Sequence, residues 1–283
     1  MAELLFPDPV GRQRPHSVHG AMGSKCGPAT AGGGDRAPRR TGTGRFLLLL
    51  PFFDRFQEAA IRLHGSVRGD ARSAAAGHQT ETLGAYSAYA DWYARMTRGV
   101  TPYSPLRTEI LEFCRTASGT VLDAGAGCCR DAVQMARGGR DVVAVDAVPG
   151  LLEAGPQHAR VRPVTADVRA LPLRGSSVGA VWCSAVLLHM DAAGFVAALR
   201  EFLRVLTPDG FAQISLKEGD GHSVEPMADS AVHRRHFFSY PLDRLREFSA
   251  DAGFRIDRTW TGEQADSGGT VQTWRKLRLR PLG

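Results

Sequence analysis

Three aspartates that each follow an apolar run are the residues of this chain best suited to chemistry. They are Asp123, Asp146 and Asp167. Asp123 is followed by Gly125 and Gly127, which let the backbone turn sharply and let a ligand approach it closely. Asp146 lies 19 residues after Gly127, where the hydroxyl pair of a ribose would find an acceptor. We therefore predict a ligand site at the carboxyl ends of three strands.

The acid before the glycine turn separates two classes of ligand. A nicotinamide or flavin enzyme would place a third glycine at position 130, which is Arg130 here. It would also hold a pyrophosphate at the helix N-terminus, where Asp123 is unfavourable. An acid at this place suits a cation instead, such as the amino group of an amino-acid moiety. S-adenosylmethionine combines an amino acid, a ribose and an adenine without a phosphate.

The elements that position these acids alternate between apolar strands and helices. Helical spacing occurs at 86–93 and 106–113. The predicted strands are 120–124, 141–145, 161–165, 179–183, 211–216, 255–261 and 271–279. The predicted helices are 131–137, 150–158, 192–206 and 242–252. This order predicts a doubly wound α/β fold with a seven-stranded, mostly parallel sheet and an antiparallel C-terminal strand pair.

The N-terminal part of the chain has a different composition. Residues 1–45 hold nine Gly and five Pro and show no helix or strand period. Such a segment buries too little apolar surface to offset its ordering entropy. We predict that residues 1–80 are a disordered extension, and that residues 81–283 form the domain. We expect the extension to be dispensable for folding and for cofactor binding.

Charge, hydropathy and cysteine content narrow the functional classes. Residues 1–80 carry 11 Arg/Lys against 6 Asp/Glu, whereas residues 81–283 carry 24 against 23. The predicted domain therefore lacks the basic excess of a nucleic-acid enzyme. The apolar run 46–53 is too short to span a membrane. The five cysteines form no C-x-x-C pair, so we expect neither a disulfide framework nor a metal site. We expect a cytoplasmic protein.

Several further motifs accompany the D-x-G-x-G pattern of Asp123, Gly125 and Gly127. The other acids stand within 144–149 and 166–168, Ala170–Leu173 follows, and the run 181–189 ends at His189. With the leading Tyr86 and Tyr93, these motifs make residues 81–283 resemble a class I S-adenosylmethionine-dependent methyltransferase. The resemblance implies a Rossmann-like fold and S-adenosylmethionine as the cofactor. The cofactor-binding residues it implies are Tyr86, Asp123, Gly125, Gly127, Asp146, Ala147, Asp167, Val168 and Ser184.

The resemblance also implies roles and shows departures. Asp146 would bind the ribose, Asp167 would lie near the adenine amino group, and the helix of Tyr86 would close over the methionine end. Cys128 and Cys129 stand where the family has a small residue and a glycine. We expect Cys129 to approach the cofactor backbone and to lower its affinity. Gly179 replaces the acid that the family usually places just before the fourth strand.

The reaction itself needs an acceptor pocket, and in some cases a base. His189 follows the fourth predicted strand and is the candidate base; the alternative is a solvent-facing histidine at a helix start. The segment 222–240 is expected to line the acceptor pocket, with Arg234 and Arg235 at its rim. Its histidines and aromatics are His222, His233, His236, Phe237, Phe238 and Tyr240.

Three functions stay open at this point. The favoured one is methyl transfer to an O, N or C atom of a small-molecule acceptor. The second is a tRNA- or RNA-modifying methyltransferase, which would use the Arg-rich extension as an electrostatic tether. The third is a non-catalytic S-adenosylmethionine-binding module.

Overall fold

The computed structural model describes residues 69–97, 104–265 and 271–283. Its helices are α1 (Gly69–Ala88), α2 (Ala90–Thr97), α3 (Pro105–Thr116), α4 (Arg130–Arg137), α5 (Pro149–Ala154), α6 (Ala192–Val205) and α7 (Leu242–Asp251). Its strands are β1 (Val121–Ala124), β2 (Val142–Asp146), β3 (Val161–Thr165), β4 (Val178–Ser184), β5 (Leu206–Lys217), β6 (Gly221–Pro226), β7 (Arg234–Ser239), β8 (Phe254–Ala265) and β9 (Val271–Pro281). A short 3-10 turn, Leu187–His189, follows β4.

Seven strands form the main sheet in the order β3-β2-β1-β4-β5-β9-β8. The first five are parallel, and β9 is antiparallel to both β5 and β8. The order of the strands reverses at β1, because β2 and β3 lie on one side of it and β4 and β5 on the other. At this switch point the ends of β1, β2 and β4 surround one crevice. The predicted fold class, with its antiparallel C-terminal pair, is confirmed.

Helices cover both faces of the sheet and give it two apolar cores. On one face, Phe113 of α3 makes edge contacts with Trp182 and Phe211, at 5.1 and 5.4 Å between ring centroids. On the other face, Phe195 of α6 lies 5.4 Å from Phe248 of α7. Both faces of β1 and nearly all of β4 are buried, and their residues are apolar except for Asp123 and Ser184 near the carboxyl ends. The buried strands hold these two polar residues in fixed positions.

Helix α1 corrects the predicted domain boundary. It begins at Gly69, so position 81 falls inside a helix and residues 69–80 are not a disordered extension. The physical reason lies in the run Ala74–Ala76, because alanine is the best helix former although it resembles a linker in composition. Residues 1–68 of the predicted extension lie outside the described residues.

A second sheet of two strands, β6 and β7, was not predicted from the sequence. The strands pair antiparallel, with His222 opposite Phe238 and Val224 opposite His236. Nearly all of β6 is exposed, so it lacks the alternation of apolar and polar residues that indicates a half-buried strand. The backbone N–H of His236 donates to Thr82 Oγ1 at 3.0 Å, which holds this hairpin against helix α1.

Within the described parts of the chain, no helix combines the length and the apolar character needed to cross a membrane.

Candidate functional site

The turn after β1 is built around a position that only glycine can occupy. Gly125 has a φ of +76°, and a Cβ there would lie 2.1 Å from Cγ2 of Val186. The N–H groups of Gly125 and Ala126 both donate to the carbonyl of Val145, at 2.7 and 2.8 Å. The turn is thus pressed against the ends of β2 and β4, which leaves its outer side open to a ligand.

Asp146 joins the end of β2 to the same turn. Its Oδ2 accepts from the N–H of Gly127 at 2.8 Å and its Oδ1 from the N–H of Val148 at 2.9 Å. Burial raises the pKa of Asp146, and the backbone hydrogen bonds oppose that shift. Each carboxylate oxygen accepts more than one hydrogen bond, so Asp146 retains acceptor capacity for hydroxyl groups of a ligand.

Asp123 carries a buried oxygen without a partner. The residue is 2% exposed, and no donor among the described residues reaches its Oδ2. Burial and the neighbouring carboxylate of Asp131 raise the pKa of Asp123. Arg130, which pairs with Asp131 at 2.7 Å, and the backbone N–H of Ala132 oppose this shift only in part. An unsatisfied buried acceptor is costly, and a cationic ligand would satisfy it.

Asp167 follows β3 and is held by two elements. Its carboxylate accepts from the backbone N–H of Arg169 at 2.8 Å and from Nη2 of Arg169 at 2.6 Å. Nε2 of Gln79, on α1, donates to it at 3.3 Å. Partial burial raises the pKa of Asp167, but the hydrogen bonds from Arg169 and Gln79 outweigh it and leave the pKa below its ordinary value.

The predicted cofactor residues come together around one pocket of about 740 Å³. From the predicted set, it is lined by Tyr86, Gly125, Gly127, Asp146, Ala147, Asp167, Val168, Ser184 and His189. Asp123 lies in an adjoining pocket of about 450 Å³, which shares Tyr93, Gly125, Gly127, Ser184 and Ala185 with the first. The structure therefore brings every predicted cofactor-binding residue, together with His189, to the same end of the sheet.

Helix α1 supplies pocket residues that were not predicted from the sequence. They are Gln79, Thr82 and Leu83. Together with Tyr86 they recur at the three- and four-residue spacing of one helix face, so the signal was present. This spacing was not recognised because the domain was predicted to begin at residue 81.

Of the two adjacent cysteines, Cys129 does not lie beside the cofactor pocket as expected. Its side chain is buried in the core with Ile110 and Met135, and it does not line the pocket. Its backbone has a φ of +57°, which turns the chain into α4 and directs the side chain away from the ligand. Cys128 lines the pocket around Asp123 instead, and its Sγ lies 3.4 Å from Oγ1 of Thr97.

His189 occupies the 3-10 turn after β4 with both ring nitrogens engaged. Nδ1 lies 2.6 Å from the carbonyl oxygen of His236, and a carbonyl only accepts, so Nδ1 bears the proton. Nε2 then accepts from the hydroxyl of Tyr86 at 3.1 Å. Burial lowers the pKa of His189 to about 4, so the imidazole is neutral at neutral pH. His189 is not the solvent-facing histidine of the alternative interpretation.

A second and larger cavity of about 1450 Å³ opens beside the first. It shares Tyr86, Tyr93, Ala185 and His189 with the pocket of about 740 Å³. The remaining wall comes from α2, β5, the β6–β7 region, β8 and β9. Its lining residues are Trp92, Leu188, Lys217, Glu225, Pro226, Ala228, Asp229, Arg235, Phe237, Gln264, Gln272 and Trp274.

The expected contribution of segment 222–240 to this cavity differs in detail. Phe237 and Arg235 line it. The other predicted residues do not: His222, His233, Arg234, His236, Phe238 and Tyr240. In an antiparallel ribbon successive side chains point to opposite faces, which is why Arg235 and Phe237 face the cavity while His236 faces helix α1.

Comparison with known proteins agrees with this geometry. Residues 121–210 match the family described as methyltransferase domain. Over 90 residues the chain is 39% identical to the demethylmenaquinone methyltransferase of Corynebacterium efficiens, a match that covers 32% of this chain and 38% of the relative. The chain therefore matches well under half the length of that curated relative.

Two solved structures share the fold. An S-adenosylmethionine-dependent methyltransferase from Methanosarcina mazei aligns with a TM-score of 0.54 and 15% identity, over 65% of this chain and all of the other. The 1,6-didemethyltoxoflavin-N1-methyltransferase of Burkholderia thailandensis aligns with a TM-score of 0.52 and 22% identity, over 77% of this chain and 93% of the other.

The strand order and the family match together define the fold. Residues 121–210 match a methyltransferase domain, and the chain shares the fold of solved methyltransferases that use S-adenosylmethionine as cofactor. The described residues fit that cofactor, because the unpartnered carboxylate oxygen of Asp123 suits an ammonium group and Gly125 leaves no side chain in the way.

Proposed function

We propose that the protein transfers a methyl group from S-adenosylmethionine to a small-molecule acceptor. The observation that carries the proposal is the common wall of the two cavities. Tyr86, Tyr93, Ala185 and His189 line both the cofactor pocket and the cavity of about 1450 Å³. A ligand in each would meet at these residues, which is the arrangement that a direct transfer between them requires.

The second cavity has the lining of a small-molecule site. Besides Tyr86 and Tyr93, three aromatic residues contribute to its wall, namely Trp92, Phe237 and Trp274. Pockets for small molecules combine aromatic surface with a few polar groups in this way. The Corynebacterium efficiens and Burkholderia thailandensis proteins are likewise named for small-molecule acceptors, demethylmenaquinone and 1,6-didemethyltoxoflavin.

The charges around this cavity do not favour RNA. Lys217 and Arg235 are balanced by Glu225 and Asp229, and Lys217 Nζ pairs with Glu225 at 2.8 Å. A site for RNA would carry a net positive charge to neutralise phosphates. One donor is left over, because Nε of Arg235 is buried without a partner among the described residues. We propose that this N–H donates to an oxygen or nitrogen of the acceptor.

Each strand-end acid has a proposed part in holding the cofactor. Asp123 binds the ammonium group, since its Oδ2 is buried and unpartnered. Asp146 binds the ribose hydroxyls with the acceptor capacity that its two backbone hydrogen bonds leave. Asp167 and Val168 hold the adenine, and Gln79 fixes the orientation of the Asp167 carboxylate.

The residues at the common wall contribute mainly by positioning. When bound, S-adenosylmethionine supplies an electrophilic methyl group on its sulfonium. The protein then has to align the acceptor and exclude water. Where the acceptor carries a proton, the neutral Nε2 of His189 receives one through the hydroxyl of Tyr86, which lies 3.1 Å away. This makes His189 a base that acts through Tyr86.

Methyl-labelled S-adenosylmethionine, incubated with the protein and a cell extract, tests the proposal. The extract is then separated into small-molecule, RNA and protein fractions, and we expect the label in the small-molecule fraction. The matched control is Asp146→Ala, which should lower the incorporation because the ribose contacts are lost. Label in RNA alone would show the second function, and unlabelled fractions despite intact cofactor binding would show the non-catalytic module.

A further inference from the structure

Three histidines from separate parts of the chain meet on the outer side of the site. They are His78 of α1, His222 of β6 and His236 of β7. Among the described residues this is the one group of ligand-type side chains close enough to hold a metal ion, with one ligand atom of each residue within 4.8 Å of the others. The rings of His78 and His236 lie 4.3 Å apart, and Nε2 of His222 lies 2.9 Å from Nδ1 of His236.

The backbone explains why these residues meet. His78, Glu81 and Thr82 occupy positions i, i+3 and i+4 of α1 and therefore share one helix face. On the hairpin, His236 is paired with Val224, and His222 is two residues from Val224, so the two histidines are diagonal neighbours on one face of the ribbon. The sequence spacing of His222 and His236 predicts no metal motif, because the third histidine comes from a distant helix.

A carboxylate already orients the central histidine. Nε2 of His236 lies 2.8 Å from Oε2 of Glu81, and a carboxylate accepts, so the proton of His236 is on Nε2. Nδ1 of His236 is then an acceptor that faces His222. Metal-bound histidines commonly donate their second N–H to a carboxylate in this way, which fixes the tautomer and strengthens the ligand.

We propose that His78, His222 and His236 form a binding site for a divalent transition metal, with Zn²⁺ as the ion that suits it, and that the bound ion fastens helix α1 to the β6–β7 hairpin. Three imidazoles with a fourth position for water are a ligand set typical of zinc. Neighbouring ligand atoms around tetrahedral zinc are about 3.3 Å apart, which follows from Zn–N bonds of about 2.05 Å. Side-chain rotations bring atoms that now lie within 4.8 Å to that spacing.

Binding of the ion replaces one hydrogen bond. In the structure, Nε2–H of His222 donates to Nδ1 of His236. With the metal, the proton of His222 moves to its Nδ1, and Nε2 becomes a ligand beside Nδ1 of His236. The side chain of His222 is exposed, so water satisfies its relocated N–H.

The position of the site gives the ion a consequence for cofactor binding. Helix α1 carries Gln79, Thr82, Leu83 and Tyr86 into the wall of the cofactor pocket. Its contact with the hairpin includes the bond from His236 N–H to Thr82 Oγ1. An ion that joins His78 to the hairpin stabilises the arrangement in which this wall is complete. By linkage, each of the two ligands should then raise the affinity of the protein for the other.

Calorimetric titration of the metal-free full-length protein with Zn²⁺ tests the site. We expect one saturable site that His222→Ala removes and that Glu81→Gln weakens by about 10- to 100-fold. His158→Ala is the matched control, because the ring of His158, which lies before β3, accepts from the N–H of Arg160 and does not belong to the three-histidine group. The bound site should give Co²⁺ the intense visible absorption of a tetrahedral complex in the wild type but not in His222→Ala.

The same variants test the consequence for the cofactor. S-adenosylhomocysteine should bind the wild type more tightly with Zn²⁺ than without it, and His222→Ala should show no such difference. Equal Zn²⁺ affinity of the wild type and His222→Ala would overturn the site. Zn²⁺ binding at this site without any change in S-adenosylhomocysteine affinity would overturn the fastening of α1.

Discussion

Burial gives two residues of the site their chemistry, in opposite ways. Asp123 is buried with an unpartnered oxygen, so its negative charge is unfavourable until a cation arrives. His189 is kept neutral, since burial lowers its pKa to about 4. The burial of Asp123 therefore destabilises the ligand-free protein and favours binding of a cation. The burial of His189 keeps its Nε2 unprotonated and able to accept a proton.

Asp123→Asn should separate ligand binding from stability. The change keeps the size of the side chain and removes the charge, so S-adenosylhomocysteine should bind about 10- to 150-fold more weakly, as for the loss of a hydrogen bond to a charged group. The free energy of unfolding of the ligand-free protein should rise, because a buried unpaired charge is gone.

Calorimetric titration and urea unfolding measure these two effects of Asp123→Asn. Asp141→Asn is the control, since Asp141 precedes β2 at the opposite sheet edge and forms an exposed pair with Arg160; it should change neither quantity appreciably. If Asp123→Asn lowers stability and leaves affinity intact, Asp123 is a structural residue.

The pH dependence of turnover should report the lowered pKa of His189. The neutral form is needed, so turnover should be flat above about pH 5 and fall as the pH approaches 4. If His189 had the ordinary pKa of histidine, turnover would already fall near pH 6.5. The positive charges of Arg235 and Lys217 lower the pKa in the same direction as burial. His189→Gln should turn over about 10²- to 10⁴-fold more slowly.

The pH dependence of the free energy of unfolding should also report the lowered pKa of His189. Its folded pKa lies below the unfolded value of 6.5, so the unfolded chain takes up the proton first as the pH falls. The contribution of the neutral side chain is therefore complete above about pH 6.5 and is lost progressively toward pH 4. The difference between wild-type and His189→Gln unfolding curves across this range isolates the residue. A difference that does not vary with pH would mean that His189 titrates normally.

At the scale of elements, the sequence predicts what the backbone sets locally and misses what distant contacts set. Asp123, Asp146 and Asp167 could be placed at one sheet edge because parallel strands end together. The hairpin could not be found, since β6 is polar and exposed and its position depends on α1. The start of α1 was missed because an Ala-rich run and a linker look alike in composition.

Two shortened chains should distinguish the ends of α1. A chain that begins at Gly69 keeps the whole helix, whereas one that begins at residue 81 lacks Gln79 and the bond from its Nε2 to Asp167. We expect the shorter chain to bind S-adenosylhomocysteine at least about tenfold more weakly than the longer one, since a hydrogen bond to a charged group is lost. Equal affinities in calorimetric titration would restore the boundary near 81.

At the scale of the whole molecule, the two cavities are built from different parts of the fold. The cofactor pocket is formed by α1 and the ends of the parallel strands, which carry the recognisable motifs. The acceptor cavity also takes residues from α2, the hairpin and the antiparallel strands. Its residues share no sequence spacing, so Trp92, Lys217 and Trp274 could not have been grouped before the fold was known.

Trp274→Ala should therefore weaken binding of the acceptor and leave binding of the cofactor unaffected. Trp274 lines the acceptor cavity and not the cofactor pocket, and truncating a large aromatic contact typically costs a few kcal/mol of binding. With an acceptor found by methyl labelling, the KM for that acceptor should rise about tenfold or more while the Kd for S-adenosylhomocysteine stays within about twofold. Trp260→Ala is the control, because Trp260 of β8 packs against Arg258 and lines neither cavity; it should leave both constants unchanged. A loss of S-adenosylhomocysteine affinity in Trp274→Ala would show that the two cavities are not separable in this way, and an unchanged acceptor KM would place the acceptor elsewhere.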